Sequence, residues 1–251
     1  MAFPTIRSTN SGRMVTASST VTVSLPYGHV QNDLLIIAVS MDGSRTMSAP
    51  AGWTLISNPT NTTANRLAVW YKVRGFTESN PSISIGATEM GTWISICITK
   101  DTYSGTPEIA TVYGVGNTPD APSLTASWGA KDNLWFAIQG WDYNYAATST
   151  PTGFTDLETQ QAYSTSGASI WSSYKQDAVA TLNPSSITIT TGETWYAHTV
   201  VVRPAAVAYE KVSVKVNDTW RSAAGMWIKV DGVWKTMESL NIKVGDVWKT
   251  V

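Results

Sequence analysis

Short runs rich in Val, Ile, Thr, Trp and Tyr recur along the chain, each bounded by Gly, Pro, Asn or Asp. Branched and aromatic side chains suit a pleated, half-buried surface, and turn residues punctuate it, so the pattern predicts β-strands. The runs fall at residues 20–25, 33–39, 67–73, 82–85, 93–99, 108–112, 133–139, 169–174, 186–190 and 196–202. No stretch of about a dozen residues keeps a helical period. The most apolar run, Asp33-Leu-Leu-Ile-Ile-Ala-Val39, is strand-sized and far short of the roughly 20 residues of a membrane span. The fold class expected is all-β.

The runs repeat. Asp33-Leu-Leu-Ile-Ile-Ala-Val resembles Asp132-Asn-Leu-Trp-Phe-Ala-Ile, an offset of 132−33=99. Pro50-Ala-Gly-Trp-Thr-Leu resembles Pro151-Thr-Gly-Phe-Thr-Asp-Leu, and Trp70 aligns with Trp171, both at 101. Pro81 aligns with Pro184 at 103, and Trp93 with Trp195 at 102. Five ordered matches at nearly one offset predict that residues 1–204 are an internally duplicated β-sandwich, with halves of about 20–100 and 121–204. One large interlocked sandwich with a pseudo-two-fold axis is expected in preference to two tandem ones. The segment between the halves carries the strand-like run 108–112 and reads as a crossing connection, not a flexible linker.

After a joint at residues 205–210, residues 211–251 carry three copies of a second unit. These are Val214-Lys-Val-Asn-Asp-Thr-Trp-Arg221, Ile228-Lys-Val-Asp-Gly-Val-Trp-Lys235 and Ile242-Lys-Val-Gly-Asp-Val-Trp-Lys249. The spacing is strict, 234−220=14 and 248−234=14. Each copy predicts a β-hairpin with a two-residue turn at Asn217-Asp218, Asp231-Gly232 or Gly245-Asp246, residues that tolerate positive φ. That register sets Lys215 opposite Trp220, Lys229 opposite Trp234 and Lys243 opposite Trp248, a ladder of Lys–Trp pairs.

Two resemblances follow from these motifs. Asp33-Leu-Leu, Pro50-Ala-Gly-Trp-Thr-Leu and Val69-Trp-Tyr-Lys72, then the degenerate repeat ending in Val200-Val-Val-Arg-Pro204, resemble a jelly-roll-type β-sandwich module of phage virion proteins and some bacterial surface proteins. In that family Tyr-Arg-Gly often follows the fifth strand, whereas this chain reads Ile98-Thr-Lys-Asp-Thr-Tyr103. The hairpin repeats are similar to Lys-Val-Gly-Gly-Val-Trp-Lys repeats at the C-termini of phage tail and fibre proteins. Together the resemblances imply a virion-surface structural or adhesion component: a tail fibre, a tail tip, or a head decoration or head fibre. They also imply self-assembly, with a homotrimer as the usual symmetry, contact with other virion proteins, and synthesis in the host cytoplasm.

Composition narrows the chemistry. Charged residues are 14% of the chain, and 17 Lys+Arg against 18 Asp+Glu leave a net charge of −1. Nucleic-acid binding leans on a clustered positive surface and is not expected. No membrane insertion is expected either, and the N-terminus lacks a charged-then-apolar signal pattern. Cys97 is the single cysteine, which excludes an intramolecular disulfide and a cysteine-based zinc site; it alternates with Ile96 and Ile98 and reads as a small buried hydrophobe. Twelve tryptophans, few charges and many hydroxyls suit surfaces buried against neighbouring subunits.

Catalysis is not expected. His29 lies in a predicted turn and His198 in a predicted strand, no Gly-x-Ser-x-Gly elbow is present, and the acids are scattered singly. Asp142 and Asn144 stand at strand spacing, and Asp42 and Asp101 sit in loops, without metal-loop spacing, so neither a metal nor a cofactor is expected. The segment Trp141, Asp142, Tyr143, Asn144 and Tyr145 is a candidate contact for a host cell-surface glycan or a partner subunit, because sugars stack on flat rings and bond to amides and carboxylates. Trp53, Trp70, Trp93, Trp135, Trp171 and Trp195 are expected in the core.

Overall fold

The computed structural model describes residues 2–60 and 64–206 with side chains, and six strands beyond them as backbone. The chain divides into two units, Met1–Ala206 and Val207–Val251. The first is all-β and antiparallel among the described residues.

Its first seven strands are β1 (Ile6–Arg13), β2 (Ser18–Thr22), β3 (Leu34–Asp42), β4 (Thr54–Ser57), β5 (Asn65–Val73), β6 (Ser82–Glu89) and β7 (Gly91–Ile98). The next seven are β8 (Glu108–Gly116), β9 (Leu124–Thr125), β10 (Asn133–Asp142), β11 (Thr155–Gln160), β12 (Ala168–Asp177), β13 (Thr181–Leu182) and β14 (Glu193–Val202). One five-stranded sheet has the order β1-β7-β3-β5-β4, and the other reads β8-β14-β10-β12-β11. Each strand of the second is the strand of the first with its number raised by seven. The two-stranded sheets β2-β6 and β9-β13 obey the same rule.

The two large sheets pack face to face. Leu34, Ile36, Ala38, Leu67, Val69, Ile94 and Ile96 meet Leu134, Phe136, Ile138, Ile170, Tyr196 and Val200 in a central core. The alternate residues of β3, Leu35, Ile37, Val39 and Met41, face away and pack with Trp70, Trp93, Val21, Ile83 and Ile85. On the outer side of the second sheet Trp141, Trp171 and Trp195 pack with Ile187 and Ile189, and Trp135 with Leu182 and Ala126. Strands β3 and β10 are therefore buried on both faces, which is why their sequences run apolar instead of alternating.

Two matched devices trim the sheets. Trp53 N donates to Pro50 O and Phe154 N to Pro151 O, each at 3.0 Å, with Gly52 at φ 76° and Gly153 at φ 77°. These are turns that need positive φ at the third residue, and they explain the Pro-x-Gly match. At the edges, Gly12 of β1 pairs with Trp93, and Gly114 of β8 pairs with Trp195. A Cβ on either glycine would lie 2.3 Å from the indole Cζ2, so each ring lies directly on bare backbone.

Several sequence expectations shift. Residues 186–190 form no ladder strand; Ile187 and Ile189 point into the outer core while their amides bond to Pro119 O and Asn117 O. Strand β1, Ile-Arg-Ser-Thr-Asn-Ser-Gly-Arg, was not expected, because an edge strand covered by polar neighbours carries no apolar period. Asp33 and Asn133, not Asp132, are the buried polar residues that immediately precede Leu34 and Leu134. Trp70 pairs with Ile37, whereas Trp171 pairs with Gln139. Relative to the strand ends Asp42 and Asp142, Trp171 is thus displaced by one same-face step, which preserves its outward direction.

In the second unit, β15 (Ser213–Val216) pairs with β16 (Thr219–Ser222), β17 (Trp227–Val230) with β18 (Val233–Thr236), and β19 (Asn241–Val244) with β20 (Val247–Thr250). The backbone register sets Lys215 opposite Trp220, Lys229 opposite Trp234 and Lys243 opposite Trp248. The expected turns at residues 217–218, 231–232 and 245–246, the side-chain ladder and the joint beyond residue 206 lie outside the described residues.

Gly12→Ala and Gly114→Ala should each cost about 1–3 kcal/mol, because a methyl forces the indole off its seat. Gly75→Ala, whose new methyl meets nothing closer than 3.8 Å, should stay within about 0.5 kcal/mol of the parent. Urea unfolding midpoints of the three variants check this.

Candidate functional site

The candidate segment at the end of β10 divides in two. Trp141 is 1% exposed, its ring sits in the outer core, and its Nε1–H donates to Tyr145 O at 3.0 Å. Trp141 therefore braces the loop from within and is not a surface contact, which corrects the sequence expectation. The alternation of β10 places it on the outer face, where the loop and Ile189 close over it. Tyr143 is 38% exposed at φ 64°, and its ring centroid lies 5.9 Å from that of Tyr145. Asn144 is half-buried beside them.

The loop after β11 reaches the same place. Ser169 Oγ donates to Tyr143 O at 2.7 Å and accepts from Ala162 N at 3.0 Å, so one hydroxyl ties both loops together. The next residue, Tyr163, is 57% exposed and lies under the Arg13 guanidinium, 5.5 Å from ring centroid to Cζ. Exposed Tyr143, Tyr163 and Arg13, with half-buried Tyr145, lie on the loops and edge strand joined in this way. Tyr163 and Arg13 escaped the sequence reading, because they lie 18 residues or more from the motif and are joined to it through tertiary contacts such as that of Ser169.

Acids gather on the inner side of this end. Burial raises the carboxyl pKa of Asp42, and it raises that of Asp142 to about 7, with the charge of Asp42 adding to it and the Tyr143 amide, 2.9 Å from Oδ1, opposing it. Glu89 and Glu193 are also raised, first by burial. Among the described residues no group of three His, Cys, Asp or Glu has the arrangement to hold a metal ion.

The histidines have structural partners. His198 is fully buried on the inner face of β14. Its Nε2 lies 3.1 Å from Leu67 O, and a carbonyl only accepts, so Nε2 carries the proton. Nδ1 then accepts from Thr111 Oγ1 at 2.9 Å, and Thr111 in turn lies 3.0 Å from Ser57 Oγ. Burial pushes the His198 pKa down to about 4. At His29, Nδ1 accepts from Arg74 Nε at 2.5 Å, and burial and that guanidinium lower its pKa.

Asp33 is the opposite case of a buried acid. Burial alone would raise its pKa, but the amides of Val30 and Lys100 at 2.7 and 2.8 Å, Arg7 and the Cys97 thiol outweigh it and hold the carboxyl below its ordinary value. The Cys97 thiol, fully buried against that carboxylate, is pushed up to about 12 and stays protonated.

Comparison of the chain with family models, with curated proteins and with solved structures finds no match.

The titration directions give opposite pH limbs. The folded pKa of His198 lies below its unfolded value of about 6.5, so its stabilising contribution is present above that value and is lost as pH falls towards 4. The loss is on the order of 3 kcal/mol, and in His198→Gln the fall in stability between pH 6.5 and 4 should be shallower by about that much. The folded pKa of Asp142 lies above its unfolded value, so stability is lost as pH rises through about 7. Asp142→Asn should therefore be more stabilising at pH 8 than at pH 5. Thermal melts across pH 4–8 read both.

Proposed function

We propose that this chain is a non-enzymatic structural or adhesion component of a bacteriophage virion surface, at a tail fibre, a tail tip or a head decoration or fibre, assembling as an oligomer. The observation that carries the reading is the triplet of hairpins at 14-residue spacing, whose four-residue strands pair only two by two among the described residues. An isolated two-stranded hairpin is marginal in water and gains its stability from further strands or a partner. Such repeats fit a segment that orders within an assembly. A homotrimer is the oligomer that the resemblance implies, with other virion proteins as neighbours.

The first unit supports the same reading. Strand orders 1-7-3-5 and 2-6, repeated as 8-14-10-12 and 9-13, fit a duplicated jelly-roll-like unit whose halves share the central core. The buried histidine and the deepest carboxylate are engaged in packing. One fold hosts many functions, so the site and the repeats carry the proposal and not the sandwich.

A second reading, a lectin-like module for host glycans, is favoured by the exposed Tyr143 and by the exposed Tyr163 under Arg13. Flat rings with a cation at the rim suit sugar faces and acidic sugars.

Electron microscopy of purified virions with gold-labelled antibody tests the first reading, and label on the capsid shell or the tail end is the expected result. Absence of the chain from any particle would overturn it. Binding to a glycan array that drops at least tenfold in Tyr143→Ala with an unchanged melting temperature would establish the second.

A further inference from the structure

Two loops meet beside the start of β3, the one that leads into it and the one that follows β5. At their bases Asn32 N donates to Arg74 O at 3.0 Å and Arg74 N to Asp33 O at 2.8 Å. The first loop carries the turn Tyr27-Gly28-His29, with Gly28 at φ 76°, and the second carries Arg74, Gly75, Phe76 and Glu78. The Arg74 guanidinium ties the tips together. Its Nε donates to His29 Nδ1 at 2.5 Å, and its Nη1 to Gly75 O at 2.9 Å and Phe76 O at 3.3 Å. Among the described residues Tyr27 is 95% and Phe76 82% exposed, so each tied loop presents one ring to water.

The repeated fold does not demand this tie. In the second half the matching turn is Trp128-Gly129-Ala130, at the offset 128−27=101 and with Gly129 at φ 77°. Alanine serves there in place of His29. Its aromatic ring is also folded down: Trp128 Nε1–H donates to Asn133 Oδ1 at 2.8 Å, and the Arg203 guanidinium lies over the ring. The first half instead sets a titratable acceptor, His29, against a permanent donor, Arg74.

Arginine only donates, so this bond requires His29 Nδ1 without a proton. A histidinium has two donors and no acceptor, and it would set one cation against another. A second partner is at hand. Glu78 Oε2 is buried with no hydrogen-bond partner among the described residues, while Oε1 accepts from Lys72 Nζ at 2.8 Å. We propose that His29 is an acid-operated clasp on the Phe76 loop. Neutral, it holds Arg74; protonated, it releases Arg74 and donates to Glu78. The charged groups that act on the ring are Arg74, Asp33 and Glu78. Asp33 is paired with Arg7 at 2.9 Å and Glu78 with Lys72. Tyr103, whose hydroxyl donates to Asn32 O, is pushed up to about 12 by burial and stays protonated. Burial, then Arg74, lowers the His29 pKa against the pull of Asp33 and Glu78. The clasp is therefore closed above the ordinary histidine value of about 6.5 and opens as pH falls below it.

The test uses the full chain. It holds four phenylalanines, so 4-fluorophenylalanine gives a sparse fluorine spectrum in which Phe76→Leu identifies the resonance of residue 76. From pH 8 down to about 4.5 that resonance should shift, with the same midpoint as the His29 imidazole signals in the parent chain. In His29→Asn, whose Oδ1 accepts from Arg74 at any pH, the Phe76 resonance should hold its pH 8 position. In Glu78→Gln the midpoint should move to lower pH, because the receiving carboxylate is gone. Circular dichroism matching the parent shows that each variant folds. A Phe76 resonance that does not follow the His29 midpoint in the parent, that still titrates in His29→Asn, or whose midpoint is unchanged in Glu78→Gln would overturn the proposal. The readout comes from the isolated chain, so it is independent of the virion reading.

Discussion

Burial of β3 and β10 on both faces is the constraint from which the rest of the first unit follows. A strand with one wet face needs polar residues at every second position, and these two have none over most of their length. Each must therefore have an apolar layer on either side. The inner layers are each other, which creates the central core. The outer layers are the small β2-β6 and β9-β13 sheets with their loops, which explains why such short elements carry buried Val21, Ile83, Ile85 and Leu182. Tryptophan serves on the outer faces because the covers are small and irregular, and a large ring spans what a short strand cannot.

Much of this order was legible in the sequence because apolar runs and turn residues report directly on it. Of the runs the pattern picked out, Leu34–Val39, Leu67–Val73, Trp93–Ile98 and Tyr196–Val202 lie within β3, β5, β7 and β14, which extend beyond them to Asp42, Asn65, Gly91 and Glu193, and the six tryptophans assigned to the core are buried. The edge strands were less legible. Strand β1 is polar since its cover, β11, reaches it through Glu158 and Gln160, so Ser8–Ser11 shows only serine, threonine and asparagine. At the candidate site, alternation along β10 would have sorted Trp141 to the outer face, beneath its cover, and Asp142 to the inner face. The density of aromatic letters hid that parity. The contribution of Ser169, Tyr163 and Arg13 is set by tertiary contact, for which the sequence holds no local signal.

Buried charge is handled in two ways that depend on the number of donors within reach. Asp33 collects two amides, a guanidinium and a thiol, and stays ionised at zero exposure. Asp142 has one amide and feels Asp42, so its proton is retained to about pH 7. The first is a structural anchor between the N-terminal strand, the start of β3 and the end of β7. The second leaves an end of the molecule whose charge depends on pH, next to the exposed tyrosines.

The shared strand order and the differences between the halves separate framework from surface. What recurs is what burial demands: the glycine under tryptophan at each edge, the Pro-x-Gly turn, and the polar residue leading into the doubly buried strand. What differs lies where cover is optional. One edge is sealed by a carboxylate and an amide, and the other by a short hydroxyl backed by a histidine, with a tyrosine and a valine left outside. The repeated plan is thus broken at two places among the described residues: the loops carrying the exposed Tyr143 and Tyr163, and the β8 edge, where Tyr113 and Val115 stay exposed.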